Sequence, residues 1–178
     1  MDPLAPDEKS TMVMIYTQNT LVRGAVVTKE STRVEIWPRT QGIPNFIRVF
    51  NPSVLLFGGN PPKPLTHAEI LVPATAMLGF HLAPPTSTPL DYDENEKNRS
   101  MEPISFLMGT FTVKGHIRVT NAAAIINSLD VAFNSWLSIY NSEISNPFLP
   151  QMPAMPVPMM LIHPRQISFL LDANPTGK

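Results

Sequence analysis

Apolar and polar positions alternate with a period of two over residues 111–119. Phe111, Val113, Gly115, Ile117 and Val119 fall on one face, and Thr112, Lys114, His116 and Arg118 on the other. Side chains along a strand point to alternate faces, so the pattern predicts a half-buried strand with a polar outer surface. Leu21, Arg23, Ala25 and Val27 alternate with Val22, Gly24 and Val26 in a run dense in β-branched residues, and predict a second strand. A glycine inside a strand marks a bend or a close backbone approach, and Gly24 and Gly115 occupy such positions.

The two strands are parts of a longer self-similarity. Val22, Arg23 and Gly24 fall on Val113, Lys114 and Gly115 at a separation of 91 residues. Residues 45–51 (NFIRVFN) read against 135–141 (SWLSIYN) at 90, and residues 69–73 (EILVP) against 160–164 (MLIHP) at 91. Three blocks at nearly one spacing predict an internal duplication. Between the blocks the halves differ. Residues 121–132 open on Asn121 and place Ile125, Leu129 and Ala132 at i, i+4 and i+7, which predicts one short helix. The counterpart, residues 29–38, is shorter and ends at Pro38, leaving room for a turn of helix at most.

The fold expected is therefore mainly β: two tandem small β-barrel units at 12–83 and 104–172 with at most one or two short helices. Residues 84–103 are polar, charged and proline-rich and read as a disordered linker, and 1–11 and 173–178 as disordered ends. Composition agrees. Twenty prolines in 178 residues exclude a mainly helical chain, because proline lacks an amide donor and breaks helix interiors. Hydrophobic residues make up 43%, enough for a packed core, and charged residues only 15%. Net charge is -1, divided as -2 over 1–11, +3 over 12–83, -3 over 84–103, 0 over 104–172 and +1 over 173–178. The first unit is mildly basic, and an acidic linker could screen or compete for that surface. No cysteine is present, which excludes disulfides and thiolate chemistry. The acidic, proline-containing start is not a signal peptide, and no apolar run is long enough to span a bilayer. The expectation is a soluble, cytoplasmic protein without membrane insertion.

Catalytic and metal-binding patterns fare poorly against their structural readings. Asp91, Asp93, Asn95 and Glu102 fit positions 1, 3, 5 and 12 of a calcium loop, but Glu96 stands where that loop needs glycine and Pro103 follows at once. His67, His81, His116 and His163 have no metal-ligand spacing and read as structural. There is no GxSxG elbow and no glycine-rich phosphate loop, and acids are sparse in both units. No enzyme activity, metal or cofactor is expected. The stretch from Pro147 to Met160 is rich in proline and methionine. It reads either as a stiff loop packed on its own unit or as a docking strip, with Met152, Met155, Pro156 and Met159 as its partner-binding residues.

The apolar-x-Gly-x-apolar strands, with Ile162-His163-Pro164-Arg165-Gln166-Ile167-Ser168 following downstream, resemble the Sm-like (SH3-like) small barrels. The latter piece is similar to the closing strands of the bacterial Sm-type RNA chaperone, and the tandem arrangement resembles uncharacterised bacterial proteins built from repeated units of this kind. The resemblance spans both units on short motifs, and the first unit lacks the basic turn. It implies ring-forming, RNA-binding behaviour, for which Arg23, Arg48, Lys114, His163 and Arg165 are the residues indicated. Two functions follow as expectations. The leading one is a non-catalytic structural or interaction module. It self-assembles or recruits a protein partner through edge strands and the Pro/Met loop. The alternative is an RNA-binding regulator that uses the basic first unit.

Overall fold

Strands dominate the computed structural model, which describes residues 3–40, 42–59, 61–86, 89–93, 95–120 and 125–170. The first half runs β1 (Glu8–Tyr16), β2 (Thr20–Lys29), a 3-10 helix (Val34–Arg39), β3 (Phe46–Leu56), β4 (Lys63–Thr66), β5 (Glu69–Pro73), a 3-10 turn (Ala74–Ala76) and β6 (Gly79–Leu82). The second runs β7 (Arg99–Met108), β8 (Phe111–Thr120), α1 (Ile125–Ala132), β9 (Leu137–Ser145), β10 (Met155–Ile162), a 3-10 turn (Pro164–Gln166) and β11 (Ser168–Leu170).

All of these strands belong to one open antiparallel sheet in the order β11-β7-β8-β9-β10-β6-β1-β2-β3-β4, with β5 also pairing β3. The halves are thus not two separate bodies. They meet at β6 and β10, where Leu161 pairs with Phe80 and Ile162 with Gly79. Each half keeps its own hairpin ladders, and corresponding rungs lie 90 or 91 residues apart. Ile15 faces Val22 where Phe106 faces Val113, and Ile47 faces Val72 where Leu137 faces Ile162. The last pair sets β5 against β10 at 90, one residue off the spacing that alignment on Pro73 and Pro164 suggests.

Several boundaries differ from the sequence reading. β1 begins at Glu8, inside the expected disordered start, because β2 supplies a partner for every residue from Glu8 to Tyr16. β7 takes Arg99–Pro103 from the expected linker by the same logic, pairing with the far end of β8. Helix α1 begins at Ile125, while its expected start at 121–124 and the tail 173–178 lie outside the described residues. The Pro/Met stretch is not a free loop. From Met155 on it is β10, with Val157, Met159, Met160 and Leu161 buried. Pro156 and Pro158 are tolerated because β10 has β9 on one side only at those rungs, β6 pairing just with Leu161 and Ile162.

Two apolar cores flank the central strands. One gathers Val13, Ile15, Ile47, Val49 and Phe80, and the other gathers Met14, Tyr16, Phe106, Phe111, Val113 and Ile139. Bulges interrupt the ladders beside them. The ladder slips between Arg23 and Ala25 in β2–β3 and between Lys114 and His116 in β8–β9. Asn51 and Asn141 take left-handed φ of 45° and 46°, which asparagine tolerates better than most residues. At the bends the backbones nearly touch. A Cβ on Gly24 would lie 2.5 Å from Val49 Cγ1 and 2.9 Å from the Phe50 carbonyl oxygen, and one on Gly115 2.7 Å from Ile139 Cγ2.

His81 on β6 lies wholly inside. Its Nδ1–H donates to the Leu82 carbonyl at 2.7 Å, leaving Nε2, 2.9 Å away, to accept from the Tyr16 hydroxyl. Burial holds the ring neutral and pushes its pKa down to about 4.

Two outcomes are expected. Gly24→Ala and Gly115→Ala each destabilise by about 1–3 kcal/mol through overpacking, read as lower urea midpoints, and unchanged midpoints would refute the close approach. Stability also declines as pH falls from about 6.5, where an unfolded histidine titrates, towards about 4, because only the unfolded chain binds the His81 proton in that window. The loss is on the order of 3 kcal/mol. His163, lowered by burial and by Arg165, adds to it with the same sign. Urea titrations of the wild type and His81→Gln across this range check it, and equal slopes would count against the assignment.

Candidate functional sites

The first site is a pair of sheet edges. At the inner junction Phe80 and Leu161 are fully enclosed, and the His163 N–H donates to the Leu78 carbonyl at 3.0 Å. Among the described residues the strands at corresponding positions have no such neighbour: β5 pairs only with β3, and β11 only with β7. Leu71 corresponds to Leu161 in the ladders and is 55% exposed. Phe169 stands opposite Phe106, as Phe80 stands opposite Ile15, and is only half-buried, while Leu170 beside it is exposed. Unpaired amide and carbonyl rows beside exposed apolar side chains are competent to pair with another strand.

The second site is a cavity of about 410 Å³ near the junction. Arg39 reaches it from the 3-10 helix Val34–Arg39, Arg99 from β7, Arg118 from β8, and Ser138 and Tyr140 from β9. Asp91, from the stretch between the halves, is held at its wall with 5% of its side chain exposed. Its carboxylate accepts from Arg39 Nη1 at 2.7 Å and from the hydroxyls of Ser138 and Tyr140, both at 2.6 Å, while Arg39 Nη2 donates to Ser138 Oγ. Burial pushes the Asp91 carboxyl up, but bonds from Ser138, Tyr140 and Arg39 outweigh it and hold the group below the usual range. Burial and the adjacent carboxylate raise the Tyr140 phenol. The Tyr92 ring stands edge-on to Tyr140 at 4.9 Å, with the Arg118 guanidinium 4.3 Å from its centre.

The residues singled out from sequence are scattered. Arg23 and Lys114 are exposed on corresponding bent strands, opposite Ser53 and Glu143. Arg48 donates to Glu69 Oε2 and lies 4.7 Å from the centre of the Phe50 ring, in a separate cavity of about 430 Å³. Only His163 and Arg165 come together, lining a cavity of about 510 Å³ with Trp136, whose ring meets His163 edge-on at 5.4 Å. Of the Pro/Met set, Met159 is enclosed in the core, Met152 and Met155 are half-buried, and Pro156 is exposed. Asp91 and Glu102 of the calcium-like pattern have other partners, Arg39 and Ser100. Among the described residues no group of three or more His, Asp or Glu is placed to hold a metal, and no helix is long and apolar enough to cross a membrane.

Sequence reasoning missed Arg39, Arg99, Arg118, Ser138, Tyr140 and Tyr92, and met Asp91 only within the calcium-like pattern. They come from five segments, so no local motif joins them. Comparison of the chain with known families, with curated proteins and with solved structures finds no match.

Tyr140→Phe removes one of three donors to a nearly enclosed carboxylate and is expected to cost about 1.5 kcal/mol. Denaturant unfolding at neutral pH measures it, and an unchanged midpoint would place the Asp91 clasp in solvent.

Proposed function

We propose that this chain is a non-catalytic interaction module, two tandem small β-barrel-like units, that self-assembles through its edge strands. The observation that carries the reading is the inner junction. β10 of the second half already pairs with β6 of the first, and corresponding strands, β5 and β11, are left open at the far ends. Docking β11 of one copy on β5 of the next would set Phe169 opposite Leu71 and Ser168 opposite Val72. Those rungs repeat the contact between Phe80 and Leu161 and between Gly79 and Ile162. The contact is heterologous, so copies add head to tail into a ring or a filament according to the rotation per step. It is weaker than the inner one by a hydrogen bond. Pro73 stands where His163 donates its N–H to Leu78, and proline has none to give. The resemblance to Sm-like barrels points the same way. A protein partner docking beside Met152, Met155 and Pro156 is the competing form of this reading.

Light scattering on the purified chain is expected to give an oligomer that Leu71→Asp reduces to monomer. Because the chain has no cysteine, Leu71→Cys with Phe169→Cys should yield a disulfide-linked ladder on mild oxidation, with Cβ atoms about 4.5–5.5 Å apart across the paired strands. A monomeric wild type sinks the proposal.

The second reading is RNA binding, favoured by the cavity that groups Trp136, His163 and Arg165. An aromatic ring beside the Arg165 guanidinium suits an unstacked base. Binding that is absent, or insensitive to salt, would remove this reading.

A further inference from the structure

Three guanidiniums from three separate elements converge on the 410 Å³ cavity, and acids from the stretch between the halves occupy all of them. Asp91 holds Arg39 at 2.7 Å, and Glu96 holds both Arg118 at 2.7 Å and Arg99 at 3.3 Å. A flat ring, Tyr92, has the Arg118 guanidinium over it and the Tyr140 ring edge-on to it, one residue from the carboxylate that takes the three donors. The Asp91–Tyr92 pair is thus an anion joined to a planar ring. It is seated on an arginine–hydroxyl cradle and an aromatic–guanidinium clamp, with further space beside it lined by Trp136.

We propose that this cavity is a nucleotide site, and that Asp91 and Tyr92 occupy it as a built-in competitor. Arg39, Ser138 and Tyr140 would take the phosphate where the carboxylate now accepts, because a fork of guanidinium and hydroxyl donors suits a tetrahedral oxyanion as well as a carboxylate. Arg118 would stack on the base where the Tyr92 ring lies, with the Tyr140 ring edge-on to it, since stacking on a guanidinium plane accepts any base. The cavity volume lies within the range of small-ligand sites. A competitor on a short tether acts at an effective concentration on the order of millimolar, so the wild type binds free nucleotide weakly. Removing the competitor uncovers the site. The inference is independent of self-assembly and holds whether the nucleotide is free or part of a single-stranded RNA.

Isothermal titration with adenosine and uridine 5′-monophosphates tests it on the full-length chain, with a short oligouridylate and inorganic phosphate as further arms. The variant Asp91→Ala/Tyr92→Ala is expected to bind a mononucleotide roughly tenfold tighter than wild type or better, with inorganic phosphate weaker. Arg118→Ala in that background should return the affinity to the wild-type level. Tighter binding of the oligouridylate than of the mononucleotides would assign the site to RNA, and equal binding to the free nucleotide. A folded double variant that binds nucleotides no tighter, or that binds an acetyl-Asp-Tyr-amide peptide and no nucleotide, overturns the proposal. Should the double variant fail to fold, Asp91→Asn keeps the shape of the clasp, removes its charge and weakens the competitor's hold on Arg39. A severalfold gain in affinity is then expected, and no gain overturns the proposal equally.

Discussion

Strand β1 sends alternate side chains into two different cores, and the rest of the molecule is arranged to make that affordable. Val13 and Ile15 enter one core, and Met14 and Tyr16 the other. A strand buried on both faces has no solvated side on which to place polar residues. Its flanks must also be fully paired, and β2 and β6 do this. β6 inherits the same constraint: Gly79, Phe80, His81 and Leu82 are all buried. The one polar side chain among them, His81, is satisfied within the sheet by Tyr16 and the Leu82 carbonyl. A buried polar group without such partners costs on the order of 1–3 kcal/mol.

The far edge of β6 is covered by β10, which joins the halves at two rungs. Pairing there decides how far each half's apolar surface is enclosed, and it leaves β11 at one end of the sheet and β4 and β5, both on β3, at the other. The clasp at Asp91 reinforces the join. It ties a guanidinium of the first half to two hydroxyls of the second through a carboxylate that belongs to the stretch between them. A nearly enclosed carboxylate of this kind is stable only with charge-assisted partners, and those partners come from both halves.

Much of the local structure was legible in the chain. Period-two alternation located β2 and β8, and their interior glycines located the bends, because a strand's side-chain period and the lack of a Cβ are properties of single residues and near neighbours. Helix α1 followed from apolar spacing, while the 3-10 helix after β2 runs through Pro38 to Arg39, past the turn of helix ending at Pro38 that the sequence suggests. The same reasoning misjudged the ends of β1 and β7. The polar residues Glu8, Lys9, Arg99 and Ser100 look disordered alone and become strand only when a hairpin partner continues past them. It also took Met155–Met160, the strand part of the Pro/Met stretch, for loop, because prolines suggest a loop unless one knows that the strand is unpaired on one side.

The sequence by itself determined the strand content, the bends and the 90–91-residue spacing of similar blocks, all carried by periodicity and by glycine, proline and asparagine chemistry within a few residues. Tertiary structure alone decided that the strands form one sheet, that β6 meets β10, and that β5 and β11 are left with open edges. It alone brought Arg39, Arg99, Arg118, Ser138, Tyr140 and Asp91 to one cavity. Pairing between distant strands and charges converging from five segments depend on chain closure over long loops, whose outcome is set by burial summed over the whole molecule and leaves no mark in any one stretch of residues.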